Sequence, residues 1–113
     1  MTRQDIIDML KNRDMNLSGM DLSYLDLSNL DLCDADLSNS NLSGTDLFRA
    51  DLSGANFTGS ILINADLNFS KLIGTNFTNA NLTNAEIFNA VVIDADFTDA
   101  NLTGVEFNDA IFE

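Results

Sequence analysis

Carboxylates are the one class of reactive side chain that this sequence holds in quantity: 18 Asp and Glu stand against 5 Lys and Arg, with no His, no Trp and a single Cys. The missing His removes Ser-His-Asp, Cys-His and His-metal arrangements from consideration. Each of the 6 glycines stands alone, so there is no Gly-rich phosphate loop. Serines and threonines recur in rows with no base beside them. Cys33 has no Lys, Arg or His close in sequence, and reads as a partly exposed replacement for Ser rather than a reactive thiol. A divalent cation on the acidic groups would need about six or more oxygens around one point, and no loop gathers them. The acids recur as a product of a repeat, not as a separate constellation. The expectation is a protein that is not an enzyme, with no catalytic residues, no cofactor and no metal site.

The repeat that spaces these acids has a period of five. From Leu17 to Phe112 every fifth residue is large and apolar, without a slip of register. Such a period fits neither a helix nor a simple strand alternation, and demands a solenoid whose five-residue unit is one side of a coil. With the large residue called i, position i−2 is mostly small (Ala35, Ala50, Ala55, Ala65), i−1 is mostly Asp or Asn, and i+1 is mostly Ser or Thr. Position i+2 is Gly, Asn or Asp except at Tyr24, Arg49 and Phe69, which predicts a tight corner at positive φ. The residues at i and i−2 point inward, two apart on a short extended segment. The other three face water.

In this motif, A-(D/N)-L-X-X over residues 15 to 113, the chain resembles the pentapeptide repeat family. The resemblance implies an all-β solenoid: a right-handed, quadrilateral parallel β-helix with about twenty residues per turn. That would give about five coils and a rod roughly 24 Å long. Residues 1–14 lie outside the repeat. Thr2 is placed to cap a short helix running to about Asn12, with Asp5 as capping-box partner and Ile6, Ile7, Met9 and Leu10 on its buried face. The first coil carries Met15, Met20, Leu25 and Leu30 at i−2, where later coils are small, so it has room for long side chains beneath a helical plug. The expected organisation is an N-terminal helical cap at 1–14 and a β-helix at 15–113.

The net charge of −13 lies entirely on the repeats, because residues 1–14 hold three acids and three bases. That argues against direct binding to nucleic acid or to an anionic membrane, and suits a basic protein surface. No signal-peptide pattern or membrane-length apolar run is present, so the expected location is cytoplasmic. With twenty residues per coil, the third face stacks Asp26, Asp46, Asp66, Glu86 and Glu106 at i−1. Beside that column stand Phe48, Phe69 and Phe88, where polar residues are usual. Stacked like charges raise carboxylate pKa values or invite cations. Asp46, Phe48, Asp66, Phe69, Glu86 and Phe88 make a candidate partner face.

The C-terminal end has Phe97, Leu102, Phe107 and Phe112 at its centre, with Val91, Ile93 and Ile111 facing outward and Ile73 one coil below. These residues predict a homodimer through that end, with a frayed monomer as the alternative. The functional expectation is a non-catalytic, rigid acidic scaffold for an unknown protein partner. The alternative rests on resemblance to fluoroquinolone-resistance members: a DNA mimic that binds a DNA-binding protein such as gyrase. Small members similar to this chain abound in cyanobacteria, many without a known role.

Overall fold

The computed structural model describes residues 1–113 as one N-terminal helix, α1 (Arg3–Lys11), followed by a stack of coils. Residues at i−1 pair in parallel with residues twenty positions on, from Asn16 with Asp36 to Val91 with Ile111. These bridges form four columns, one per side, so twenty residues make one level of the solenoid. The molecule measures 33 × 21 × 20 Å. The expected strands are reduced to their minimum: each side holds a single bridged residue, because the other positions are consumed by the corner.

Hydrogen bonding explains the five-residue motif position by position, since every buried backbone donor needs a partner. Around Leu47, the Asp46 N–H donates to the Leu25 carbonyl one level below at 2.9 Å. The N–H groups of Leu47 and Arg49 donate to the carbonyls of Asp66 and Asn68 one level above, at 2.8 and 3.0 Å. The Ala50 N–H closes the corner on the Leu47 carbonyl at 3.0 Å. The remaining N–H, at i+1, donates to the side chain at i−1, here Phe48 to Asp46 Oδ1 at 2.9 Å. This local bond is what Asp and Asn do best, accepting from the backbone two residues on. A Ser or Thr at i+1 adds its hydroxyl to the same oxygen, as Ser38 does on Asp36 at 2.6 Å. Where i−1 is Asp or Asn it is therefore the acceptor of its turn, and in turns such as those of Ser18, Ser38 and Thr58 the i+1 hydroxyl is a second donor, so these positions are not simply a wet exterior.

Every i+2 residue from Gly19 to Asp109 has positive φ, as the residue types predict. Tyr24, Arg49 and Phe69 share it at 60°, 59° and 60°. For such bulky side chains this is a strained conformation that the stack imposes. Gly44 has a further reason to lack a side chain, because the Tyr24 ring from the level below lies where its Cβ would be.

Inside, i and i−2 form one continuous core in which Leu17 through Val92 are buried at every i position. Phe57, Phe77 and Phe97 stack with ring centroids 5.0 and 5.1 Å apart. The buried hydroxyls at i−2 all find carbonyls, such as Thr45 on Leu22 at 2.7 Å and Ser70 on Leu67 at 2.7 Å. Helix α1 has the capping box of Thr2 and Asp5, and it buries Ile6 completely. Met9 and Leu10 pack on the core beside Met15, Met20, Leu25 and Leu30.

Candidate functional site

The third face is built by the bridges that join Asp26 to Asp46, Asp46 to Asp66, Asp66 to Glu86 and Glu86 to Glu106. Stacking does not act on all its members alike. Asp26 is held below the usual carboxylate range by the hydroxyl and N–H of Ser28, with Arg3 adding its charge. Asp66 is pushed up by burial, opposed by the N–H of Asn68 and assisted by the charges of Asp46 and Glu86.

These opposite directions separate two otherwise similar substitutions. For Asp66 the raised value means that ionisation weakens the fold as pH rises from the unfolded value of 3.8 through the folded one. Asp66→Asn keeps the Oδ1 acceptor, so thermal melting at pH 7 is expected to rise by a few degrees at most, with the gain gone below pH 3.8. Asp36 is lowered by its bonds from Ser38, so its stabilisation is present above 3.8 and lost as pH falls through the folded value. Asp36→Asn is therefore expected to lower the melting temperature at pH 7. A loss with Asp66→Asn would mean that this carboxylate is paired in the fold.

Glu86 is too long to close its own turn. Asn68, one level below, replaces it: its Oδ1 accepts the Phe88 N–H at 2.9 Å while its Nδ2 donates to Glu86 at 2.9 Å. Phe88 and Phe48 are half-buried on either side of Asn68, and Phe69 is 48% exposed at the corner. The Phe48 and Phe69 rings meet edge to face at 5.5 Å. The Arg49 guanidinium lies 5.4 Å from the Phe48 ring centre and 5.8 Å from that of Phe69. The structure thus joins Phe48 and Phe69 into one cluster through Arg49, which sequence reasoning noted only as an exception. Phe88 sits one level beyond. The cluster thus sets aromatic rings and a cation held over them on an acidic wall.

The remaining candidate residues are distributed as follows. Ile73, Val91, Ile93 and Ile111 share the fourth face, where Val91 bridges Ile111 and the Gly74 N–H meets the Ile93 carbonyl. Phe97, Leu102 and Phe107 are half-buried in the last level, and Phe112 is 55% exposed. Phe107 touches both Phe97 and Phe112, at 5.9 and 5.6 Å. Of the cap residues, Thr2 closes the helix start, Ile6 is buried, and Ile7 and Leu10 are half-buried.

Two groupings escaped the sequence reading. Arg3 reaches across the first level, with Nη1 on the Asp26 carbonyl at 2.9 Å and on its Oδ1 at 3.2 Å, and Nη2 on the Ser28 carbonyl at 3.0 Å. On the fourth face Asp31, Cys33 and Asp51 converge, with ligand atoms within 4.8 Å of one another. Burial, hydrogen bonds to Asp31 and Asp51, and their charges push the Cys33 thiol up to about 12. The thiol stays protonated, as the absence of nearby bases in the sequence suggested. The Arg3 grouping has no periodic signal, because it joins the helix to the first level; Asp31 and Asp51 stand twenty residues apart in one column and are legible at coil spacing, though they were not singled out.

Comparison with known proteins agrees with this geometry. The sequence matches the pentapeptide repeats family in eight copies, over residues 13–39, 26–62, 60–90 and 75–113. The pentapeptide repeat protein Rfr23 from the cyanobacterium Cyanothece 51142 is 31% identical over 82% of this chain, with a TM-score of 0.80. The chain spans 64% of the length of Rfr23. A pentapeptide repeat protein from the thylakoid lumen of Arabidopsis thaliana is 34% identical over 85% of this chain and 70% of its own, with a TM-score of 0.53. A comparison with curated proteins returns no match. No helix is long and apolar enough to cross a membrane. The family match runs through the repeat from end to end, and the bridges recur at the spacing the repeat requires; the chain belongs to the pentapeptide repeat family.

Proposed function

We propose that this chain is a non-catalytic docking rod whose third face receives a protein partner. The rod is a right-handed, four-sided β-helix of five coils, with residues 1–14 as its cap. The observation that carries the reading is the Phe48–Phe69–Arg49 cluster. Two of its members occupy positive-φ corners where Gly, Asn or Asp would be unstrained. Strain retained for exposed side chains that contribute little to the core is expected where those side chains serve contact. Asp46, Asp66 and Glu86 beside the cluster supply a negative field for a partner with complementary cations.

The test is affinity capture from an extract of the native cell with Phe48→Ser, Phe69→Ser and Phe88→Ser separately. Ser is common at i+1 in this chain, where Phe48 and Phe88 stand; Phe69 lies at an i+2 corner of positive φ where no Ser occurs, so thermal melting establishes that this variant folds before capture. Loss of one captured protein, by about tenfold or more with Phe69→Ser, is the expected result for a central aromatic anchor. Undiminished capture by all three variants would discard the third face.

A further inference from the structure

The first level of the solenoid presents pairs of carbonyls, at i−1 and i+1, that have no level below to bond them. On the third face this pair belongs to Asp26 and Ser28, and the Arg3 guanidinium takes both, together with the Asp26 carboxylate. The fourth face repeats the arrangement five residues on, with the carbonyls of Asp31 and Cys33 and the Asp31 carboxylate. No donor of the protein reaches these two carbonyls. Asp31 and Cys33 line a cavity of about 400 Å³ between α1 and the first level. Its other lining residues are the apolar Ile7, Leu10, Met15 and Leu30, with Lys11 as the one cation.

We infer that this cavity is a binding site for a small alkylguanidinium compound. Its planar head would repeat on Asp31 and Cys33 the contacts that Arg3 makes on Asp26 and Ser28, and its apolar stem would lie against Ile7, Leu10, Met15 and Leu30. The volume falls in the range of small-molecule sites, and the combination of apolar walls with a few convergent polar groups is their usual composition. A guanidinium fits better than an ammonium because its fork spans two parallel acceptors with fixed geometry.

Charge favours the same class. Asp51 lies beside Asp31 and Cys33, and the net charge of −13 repels anions. The protonated Cys33 thiol adds no negative charge and is directed to Asp31 and Asp51, leaving its own carbonyl as the acceptor. Lys11 is the opposing group on the cavity wall. Its removal is expected to strengthen binding.

The probe is butylguanidinium, titrated into the intact chain at low salt and followed by calorimetry and amide chemical shifts. Saturable binding is expected, with shifts confined to residues 7–15 and 30–33 and to Asp51. Asp31→Asn keeps the turn acceptor for the Cys33 N–H, now at 3.1 Å, and is expected to weaken binding about tenfold or more. Asp21→Asn leaves it unchanged, and Lys11→Gln tightens it. Butylammonium binds more weakly and butanoate does not bind. The inference is overturned by the absence of saturation at millimolar concentration, by shifts spread over the acidic walls, or by equal loss with Asp31→Asn and Asp21→Asn. A gain of binding by an Arg-containing peptide with none by butylguanidinium would likewise overturn it, and would assign the cavity to a protein side chain.

Discussion

Leu67→Asp is expected to leave no cooperative unfolding transition and a circular dichroism spectrum of unfolded chain at 25 °C. Leu67 has no exposed surface and lies between Leu47 and Ile87 in an apolar column, and the adjoining Ser70 hydroxyl is already committed to the Leu67 carbonyl at 2.7 Å. A carboxylate there loses its water and gains nothing, a cost of several kcal/mol against a total stability of roughly 5–15 kcal/mol for a domain. A solenoid makes the damage worse. Each level contacts only its neighbours, so a break at Leu67 leaves two short stacks, neither with enough repeats to stand alone. The adjacent Asp66 makes the contrast sharp, since the backbone turns one residue later from wall to core. A variant that melts cooperatively within a few degrees of the parent would show that position i does not face inward.

The second large effect concerns the small residues at i−2. Ala65 is 1% exposed and stacks between Thr45 and Ala85 at strand spacing, so a longer side chain would meet the levels above and below. Ala65→Leu is expected to cost about 1–3 kcal/mol or more, as overpacking does in tightly filled cores. Urea denaturation reads this as a lower midpoint with the slope unchanged. The same residue type is at home one end away. Leu25, in the same column at the first level, is half-buried against the core that α1 covers. Leu25→Ala is therefore expected to destabilise, by leaving a void under α1. Equal tolerance of Leu at 65 and at 25 would mean that the interior is not close-packed between levels.

These two predictions draw on what the sequence displays most openly. A period of five reports which side chains enter the core, and Gly, Asn and Asp report the corner, because both are properties of single residues repeated many times. The large residues at Met15, Met20, Leu25 and Leu30 likewise announced a covered end. What stayed hidden were partnerships. Asp at i−1 was read as a solvent-facing acid, yet its oxygen is bonded to the N–H two residues later, as Asp21 is to Ser23 at 3.1 Å. The acids stacked on the third face were expected to raise one another's pKa values, yet Asp26 in that column falls because the hydroxyl and N–H of Ser28 stabilise its charge. Asp66 moves the other way because it is buried and its turn is closed by Asn68, which has no hydroxyl to offer.

Long-range contacts were illegible for a different reason. Arg3 finds Asp26 and Ser28 over 23 and 25 residues, and Cys33 finds Asp51 across one level. The first meeting depends on where the helix lies, which a five-residue motif does not encode; the second follows only once twenty residues are taken as one coil. On the third face the column and its phenylalanines could be read once twenty residues were taken as one coil. The link through Arg49 could not, because its guanidinium must fold back over two rings on neighbouring levels. That link distinguishes a cluster from three separate substitutions on a tolerant wall.

Site-specific photocrosslinking tests most directly whether the third face is a contact surface. A photoreactive phenylalanine analogue replaces Phe69 in one protein and Ile73, on the fourth face, in another; both positions are exposed, at 48% and 42%. After irradiation in native cell extract, one discrete adduct from position 69 and none from position 73 is the predicted result. No adduct from position 69, or the same adducts from both positions, would contradict it.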